Sequence, residues 1–272
     1  MVTFKTEKVS DRVTRIFGIC TELMYLVEGE DKAALIDTGS GFGSLKQTVE
    51  KLTDKPVIVL LTHGHVDHAM GAGEFETVYM NHNDDDIFKK HGQSSIRWDS
   101  LRMSEEYVEV VSSDYIETAD AGRFYPLKEG DRFDLGGCTL NTYACYGHTR
   151  GSMVFLLEEE RILFLGDACN SRTFMFQDYS LTISEYEKNL KELKEKTDGK
   201  YDTVFSFHGD GKLTKTVIEE VLEVCEDIRL GRADDIPFRF LGSPGLLAKA
   251  VDAFDQRIDG KCGNVVYSKE RI

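Results

Sequence analysis

Short apolar runs separated by turn residues predict the secondary structure of the first sixty residues. Strand-like runs occupy residues 13–17, 23–27, 33–36 and 57–61. Between the third and fourth runs, Leu45, Val49 and Leu52 follow at the i, i+4, i+7 spacing of one helix face. The pattern predicts a β-rich start that leads into a strand-helix-strand unit. The run at 57–61 is apolar throughout and is therefore expected to be buried on both faces.

The second half of the chain repeats this order of strands and helices. Further apolar runs predict strands at 153–157, 162–165 and 203–207. The helix before the last of these opens with a capping box, in which Thr182 is followed three residues later by Glu185. Another helix, with apolar positions over residues 217–225, follows His208. We therefore expect two similar α/β halves that meet near residue 120.

Two segments do not fit this repeating pattern. Residues 83–126 are rich in charge and carry aromatic side chains throughout, so we expect an inserted cap that lines a pocket. Residues 232–272 contain an amphipathic segment around 246–254 and a last strand at 265–267. We expect this tail to pack on the domain as a C-terminal extension. Because neither a repeat nor a linker is visible, residues 1–272 are predicted to form a single domain.

Composition and charge narrow the range of partners. The chain has 272 residues, of which 30% are charged and 41% hydrophobic, as in a folded globular protein. A formal net charge of −15 repels phosphate backbones and anionic lipids. We therefore expect a small-molecule substrate, with neither nucleic acid nor a membrane as partner, and the oligomeric state stays open, a homodimer included.

The start of the chain and its cysteines favour a cytoplasmic protein. The first residues interleave charges and contain no apolar signal region. The six cysteines include no CxxC pair, so they predict neither a zinc ribbon nor a disulfide framework. We expect reduced and mostly buried thiols.

Histidine and aspartate side chains gather beside the predicted strands. The stretch THGHVDHAMG, which follows the run 57–61, supplies His63, His65, Asp67 and His68. Three more side chains of the same kind stand next to later strands, namely His148, Asp167 and His208. Strands that end at one edge of a sheet would bring these groups into one crevice. The sequence therefore predicts a polar site at a sheet edge.

Imidazole and carboxylate groups in this number are the ligands of divalent transition metals. The predicted sets are His63, His65 and His148 for one cation, and Asp67, His68 and His208 for a second. Asp167, with two carboxylate oxygens, is expected to bridge them. Two cations about 3.5 to 4 Å apart share a hydroxide at neutral pH. Zinc is the first choice of metal, with iron or manganese as alternatives.

The motif HGHVDH resembles the H-x-H-x-D-H signature of the metallo-β-lactamase superfamily. The likeness continues in order through LIDTGSG before it and GHTRGS, LFLGDA and FHGD after it, over roughly residues 10–225. It implies an α/β (α+β) fold class, a four-layer αββα sandwich of two mixed β-sheets flanked by helices. It also implies a dinuclear metal site at one edge, and Asp37 resembles the family's buried aspartate that supports the metal loop.

Several of these residues have ordinary structural alternatives. The loop GSGFGS lacks the third glycine of a dinucleotide-binding fingerprint, so we interpret it as a tight turn that orients Asp37. Asp167 has an alternative role as a helix N-cap, which its place in the ordered motif set disfavours. His82 and His91 are interpreted as ordinary turn histidines.

The activity predicted from these residues is metal-dependent hydrolysis of a small-molecule ester, thioester or lactone by a hydroxide bridging two cations. Asp67 is expected to be both a ligand and the catalytic residue that accepts a hydrogen bond from the nucleophile. In true β-lactamases, which this family resembles, an aspartate does not stand at the position of Asp167, so antibiotic cleavage is disfavoured. Phosphodiester hydrolysis and an iron-dependent redox or sulfur dioxygenase-like activity stay open as alternatives.

Substrate specificity is expected to depend on the cap. Arg97 and Trp98 are the first candidates for substrate contacts. Arg150, Arg172 and Tyr179 follow them.

Overall fold

The computed structural model describes residues 2–103 and 110–272, and its strands form three sheets. The first seven strands are β1 (Lys5–Lys8), β2 (Val13–Phe17), β3 (Leu23–Glu28), β4 (Ala33–Ile36), β5 (Val57–Leu60), β6 (Val78–Met80) and β7 (Tyr125–Pro126). The next seven are β8 (Arg132–Asp134), β9 (Thr139–Ala144), β10 (Met153–Leu157), β11 (Ile162–Phe164), β12 (Thr173–Met175), β13 (Thr203–Phe205) and β14 (Lys212–Leu213). The last three are β15 (Ile236–Phe240), β16 (Ser243–Leu247) and β17 (Val265–Tyr267).

Helices lie between these strands. They are α1 (Leu45–Leu52), α2 (Val66–Ala69), α3 (Asp85–His91), α4 (Ser94–Ser100), α5 (Ile183–Thr197) and α6 (Val217–Arg229). The predicted capping box is present at the start of α5, where the backbone N–H of Glu185 donates to Thr182 and the Glu185 carboxylate accepts from the Thr182 backbone. Within the two described ranges, no helix is both long and apolar enough to cross a membrane.

The first two sheets pack face to face and confirm the four-layer sandwich. The first sheet runs in the order β1 to β7, with its last four strands parallel. The second has the order β14-β13-β11-β10-β9-β8, and its only parallel pair among the described strands is β11 with β13. One hydrophobic cluster lies between the sheets, and each outer face packs against helices. The mixed α/β fold predicted from the sequence is therefore confirmed.

Strand β10 shows why its run is apolar at every position. Phe155 and its neighbours two residues away face the cluster between the sheets, whereas Val154 and Leu156 face the cluster under α5 and α6. A strand covered on both faces cannot alternate polar and apolar residues. The same reason accounts for the other continuous apolar runs near the site.

The C-terminal residues form a small third sheet that the sequence pattern did not indicate. Its order is β12-β17-β16-β15, so a strand from residues 173–175 pairs with β17 and shares a sheet with three strands of the tail. The amphipathic segment expected around 246–254 is divided between the end of β16 and a loop. One face of this sheet packs on the helical side of the second sheet through Met175, Val265 and Tyr267.

The buried guanidinium of Arg97 ties the segment between β6 and β7 to the glycine-rich loop. It donates to the carbonyl oxygens of Gly41 at 2.6 Å and Ile116 at 2.6 Å, and to the hydroxyl of Thr118 at 3.0 Å. Its side chain is fully buried and lies 3.9 Å from the centre of the Tyr115 ring. A cation–π contact and several carbonyl acceptors therefore compensate for burial of the charge.

Substitution of Arg97 by methionine is expected to destabilise the protein by about 2 to 4 kcal/mol, because several buried carbonyl groups lose their donor. Chemical denaturation measures the change in the free energy of unfolding. Arg102→Met is the matched control, since Arg102 lies in the same segment with its side chain 79% exposed and should change stability by less than about 0.5 kcal/mol. Equal effects for the two variants would contradict this role of Arg97.

Candidate metal centre

The strand order places the predicted ligands at one edge of the sandwich. Asp37 follows β4 and His63 follows β5, and these two strands are parallel neighbours. In the second sheet Asp167 follows β11 and His208 follows β13, which are again parallel neighbours. The backbone N–H of Met153 donates to the carbonyl of Thr62 at 2.8 Å and joins the two sheets at this edge. The parallel strands therefore deliver their terminal side chains to a shared crevice.

The nitrogens of the first predicted set converge on one point. Nδ1 of His65 lies 3.0 Å from Nε2 of His63 and 3.0 Å from Nε2 of His148. Two nitrogens bound tetrahedrally at about 2.0 to 2.1 Å from zinc would be about 3.3 Å apart. The three rings thus present their nitrogens at nearly the spacing of ligands to one cation, and all three side chains are buried.

The second predicted set forms a similar cluster beside the first. Nε2 of His68 lies 3.3 Å from Nε2 of His208 and 3.7 Å from Oδ2 of Asp67. The distance from Oδ2 of Asp67 to Nε2 of His208 is 3.6 Å. The short helix α2 carries Asp67 and His68 away from the direction of His63 and His65, because the chain turns at Val66.

Asp167 stands between the two sets. Its Oδ2 lies 3.3 Å from Nε2 of His208 and 3.8 Å from Nε2 of His148, one residue of each set. Its Oδ1 accepts a hydrogen bond from the side-chain amide of Asn170 at 3.3 Å. The carboxylate is therefore placed where one of its oxygens reaches both clusters.

Hydrogen bonds to Asp37 fix the tautomers of two histidines. Oδ2 of Asp37 accepts from Nδ1 of His68 at 2.7 Å and from the hydroxyl of Thr62 at 2.7 Å. That hydroxyl oxygen is also 3.0 Å from Nδ1 of His63, whose N–H it accepts. Both histidines thus direct Nε2 into the centre, the arrangement that second partners of metal-bound histidines produce.

His148 is oriented in the same way by the backbone. Its Nδ1 donates to the carbonyl oxygen of Phe174 at 2.8 Å, so Nε2 carries the free lone pair. Phe174 belongs to β12 of the third sheet. The C-terminal strand β17, which pairs with β12, therefore supports one ligand of the first set.

The charge of the centre also suits cations. Burial strongly lowers the pKa of His63 and of His65, so both imidazoles keep their lone pairs at neutral pH. Burial would lower the pKa of His68 as well, but three neighbouring carboxylates outweigh it and raise the value to about 10. A buried centre that holds a proton this tightly carries excess negative charge, which bound divalent cations would neutralise. Converging lone pairs and excess negative charge together fit a pair of such cations.

Asp84 is a supporting residue that the sequence analysis missed. Its carboxylate accepts from the backbone N–H of Gly64 at 3.0 Å and of Gly151 at 2.7 Å, and from the Thr149 hydroxyl at 2.7 Å. Gly64 lies between His63 and His65, and Thr149 follows His148. A single buried carboxylate therefore holds together the two loops that supply the first ligand set.

Replacing Asp84 by asparagine is expected to lower the free energy of unfolding by about 2 kcal/mol, because an amide cannot accept all three hydrogen bonds. Burial raises the pKa of Asp84 to about 6, above the value of about 3.9 in an unfolded chain. The native state then binds this proton more tightly, so the contribution of Asp84 to stability is complete below about pH 4 and declines as pH rises through about 6.

Urea unfolding of both proteins between pH 4 and 8 tests this pair of expectations. The advantage of the wild-type protein over Asp84→Asn should be largest near pH 4 and should reach a lower plateau above pH 7. A difference between the proteins that does not change between pH 4 and 6 would contradict the assigned titration.

The residues proposed for substrate contact lie in different surroundings. The expectation for Arg97 was wrong, because its guanidinium is buried and donates to backbone carbonyls and the Thr118 hydroxyl. Trp98 packs edge-on against Phe42 at 4.8 Å between ring centres. Arg172 pairs with Asp255 and lies 5.4 Å from the Phe238 ring, whereas Arg150 is exposed.

Two aromatic side chains lie directly at the first ligand set. The Tyr179 ring lies edge-on to the His65 ring, with ring centres 5.1 Å apart, and His91 stacks on His65 with ring centres 4.8 Å apart. His82, in contrast, only pairs with Asp85 at the surface. The ordinary interpretation therefore suits His82, whereas His91 belongs to the surroundings of the metal centre. Its position could not be read from sequence, because it arrives on a separate helix.

Comparison with known proteins agrees with this geometry. Residues 18–208 match the family described as the Metallo-beta-lactamase superfamily. The chain is 26% identical over 233 residues to the Beta-lactamase-like protein 2 homolog of Caenorhabditis elegans, a match that covers 81% of this chain and 68% of that protein. It resembles the metallo-beta-lactamase from Pontibacter korlensis in fold, with a TM-score of 0.60 and 17% identity over 83% of this chain and 100% of that one.

Two further relatives are named as thioesterases. The acyl-coenzyme A thioesterase MBLAC2 of Homo sapiens is 26% identical over 200 residues, which cover 64% of this chain and 68% of that protein. The atrochrysone carboxyl ACP thioesterase AgnL7 of Paecilomyces divaricatus is 27% identical over 172 residues. That match covers 59% of this chain and 46% of the relative, so the chain spans about half of that protein's length.

Proposed function

Because the chain belongs to the metallo-beta-lactamase superfamily, we propose that it is a metal-dependent thioesterase acting on a small acyl thioester. The observation that carries this proposal is the complete set of converging histidine and aspartate side chains at the sheet edge. Relatives named as acyl-coenzyme A and acyl carrier protein thioesterases support the choice of bond.

The proposed ligands of one cation are His63, His65 and His148, and those of the other are Asp67, His68 and His208, with Asp167 shared. Divalent cations bound there would supply a water of lowered pKa and polarise the substrate carbonyl. Zinc is our first expectation for the metal because nitrogen ligands in a near-tetrahedral spacing suit it. Iron and manganese stay as alternatives for metal analysis to decide.

Asp67 is the proposed catalytic residue of this chain. Its Oδ2 lies 3.7 Å from Nε2 of His68 and 3.6 Å from Nε2 of His208. Its side chain is 15% exposed, so the carboxylate borders the open part of the centre. We assign it to accept the hydrogen bond of the attacking water and to hold that water in line with the carbonyl.

A thioester suits a site whose proposed catalytic residue is a carboxylate base. The leaving thiolate is the conjugate base of a group with a pKa of about 8.5, so it departs without prior protonation. An alkoxide from an ordinary ester is a far stronger base and gains more from a general acid. A site built around the carboxylate base Asp67 therefore favours cleavage of a thioester over cleavage of an alkyl ester.

Charge argues for a thioester whose carrier is small or weakly charged. The formal net charge of −15 repels polyanions, which include both phosphodiester polymers and the phosphates of coenzyme A. If an acyl-coenzyme A is accepted, its KM should fall as ionic strength rises, because salt screens this repulsion.

A hydrolysis panel with metal-loaded protein tests the proposed function. The substrates are matched acyl thioesters of coenzyme A and of pantetheine, which lacks the phosphates, together with a lactone and a phosphodiester. We expect thioester hydrolysis to have the highest kcat/KM and the pantetheine thioester to have the lower KM at low salt. Preferred turnover of the lactone or phosphodiester, or no thioester hydrolysis by protein with bound metal, would overturn the proposal.

A further inference from the structure

Three aromatic rings contact one another beside the first ligand set. His91 stacks on His65 with ring centres 4.8 Å apart and an interplanar angle of 22°. Tyr179 meets His65 nearly edge-on at 5.1 Å and 68°, and its ring centre is 6.3 Å from that of His91. His65 directs Nδ1 toward the converging nitrogens, so Tyr179 is separated from the centre by a single ligand residue.

Tyr179 carries the hydroxyl donor of this group. Among residues 2–103 and 110–272, no hydrogen-bond partner lies within reach of it, although the ring itself is largely covered. A phenol with an ordinary pKa of about 10 is protonated at neutral pH. The group therefore offers an O–H donor on a ring that contacts the ligand residue His65.

The segment that carries Tyr179 is fixed at both ends. Upstream, the backbone N–H of Thr173 donates to the carbonyl of Asn264 at 3.0 Å, within the pairing of β12 and β17. Downstream, the hydroxyl of Ser180 donates to the carbonyl of His148 at 3.0 Å, and Arg271 donates to the carbonyl of Ser180. The tyrosine is thus held against the ligand residues by the third sheet, a rigid support that suits a substrate-binding group.

His91 completes the support on the other face of His65. Its Nδ1 accepts the backbone N–H of Val66 at 3.2 Å, so this nitrogen keeps its lone pair and the ring is neutral in that arrangement. A neutral ring can stack on His65 without adding positive charge next to the proposed cations. His91 is therefore a positioning residue for the contact between His65 and Tyr179.

We propose that Tyr179 binds and orients the substrate by donating its hydroxyl hydrogen bond to the carbonyl oxygen of the acyl thioester. This inference rests on the proposed thioesterase function. At the reacting centre of a thioester the carbonyl oxygen is the strong acceptor, whereas a thioether-type sulfur accepts only weakly. An uncharged donor beside His65 selects such a carbonyl.

Two non-hydrolysable analogues of the preferred thioester separate this role from simple packing. In the first, a methylene replaces the sulfur and the carbonyl is kept as a ketone. In the second, a methylene replaces the carbonyl and the sulfur is kept as a thioether. Competition against the substrate gives the inhibition constant of each analogue for the wild-type protein, for Tyr179→Phe and for the control Tyr125→Phe.

Tyr125 is a suitable control because it is a tyrosine, the first residue of β7, that is 53% exposed and contacts Tyr79. We expect Tyr179→Phe to weaken binding of the ketone about 5- to 10-fold, the effect of one lost hydrogen bond, with thioether binding changed less than about 2-fold. Its metal content should equal that of the wild type, and Tyr125→Phe should change neither constant.

The outcomes distinguish the inference from the proposed function. Equal weakening of both analogues, or no weakening of either, in a protein whose wild type hydrolyses thioesters would overturn the role of Tyr179 alone. If the metal-loaded wild type neither hydrolyses thioesters nor binds the ketone, the thioesterase proposal fails, and the inference fails with it. Selective loss of ketone binding supports both.

Discussion

Replacement of Asp167 by asparagine is expected to lower kcat/KM for the preferred thioester by about 10³-fold or more, because it removes several kcal/mol of charge stabilisation. Oδ2 of Asp167 lies within 3.8 Å of ring nitrogens in both histidine clusters. An amide is neutral, and one of its two ends can only donate. The bridge between the two sets is therefore lost while the shape of the side chain is kept.

Steady-state kinetics and metal analysis of the same preparations measure this effect. The matched control is Asp86→Asn, which makes the same chemical change at an exposed position of α3. We expect Asp167→Asn to bind fewer than two cations per chain and the control to keep wild-type content and rate. An Asp167→Asn protein with wild-type turnover would show that the bridge is not needed.

Asp37→Asn is the second substitution with a large expected effect, although Asp37 is not a predicted ligand. Its two oxygens accept from the Thr62 backbone N–H at 2.7 Å, from the Thr62 hydroxyl and from Nδ1 of His68. Asparagine tolerates the backbone φ of 61° at this position, so the change isolates the hydrogen bonds. At least one of these buried donors must then lie against the N–H donors of the new amide and lose its hydrogen bond. We expect about 3 kcal/mol of lost stability and about 10- to 100-fold weaker metal affinity.

Metal titrations of Asp37→Asn distinguish a supporting role from that of a ligand. Excess metal should restore most of the activity, since all seven proposed ligands are still present. Thr62→Ser is the conservative control, because it keeps the hydroxyl between His63 and Asp37 and should bind metal normally. Wild-type metal affinity in Asp37→Asn would contradict the role of this carboxylate in orienting the two histidines.

Much of the fold was predictable because its strands are buried on both faces. Continuous apolar runs such as those of β5 and β10 leave little alternative to a strand covered by another sheet and by helices. The capping box at Thr182 likewise marks the start of α5 by local chemistry alone. The four side chains of HGHVDH stand so close in sequence that their convergence follows from a strand end and one turn of helix.

Other features depend on contacts between distant parts of the chain. Arginine is usually a surface residue. Arg97 is buried because the carbonyl oxygens of Gly41 and Ile116, from distant parts of the chain, accept its hydrogen bonds. The third sheet pairs residues 173–175 with β17, about 90 residues later, which no local periodicity encodes. Asp84 and Tyr179 reach the centre by such long-range packing. The sequence named Tyr179 only as a candidate for substrate contact and gave no signal for Asp84, because single-sequence patterns do not encode such packing.

Titration of metal-free protein with zinc, with thioester hydrolysis followed at each step, tests whether hydrolysis depends on two cations bound at the proposed ligands. We expect activity to appear with bound metal and to saturate as two equivalents per chain bind at the seven histidine and aspartate side chains. Full thioester hydrolysis by metal-free protein, or two bound equivalents without any hydrolysis, would contradict it.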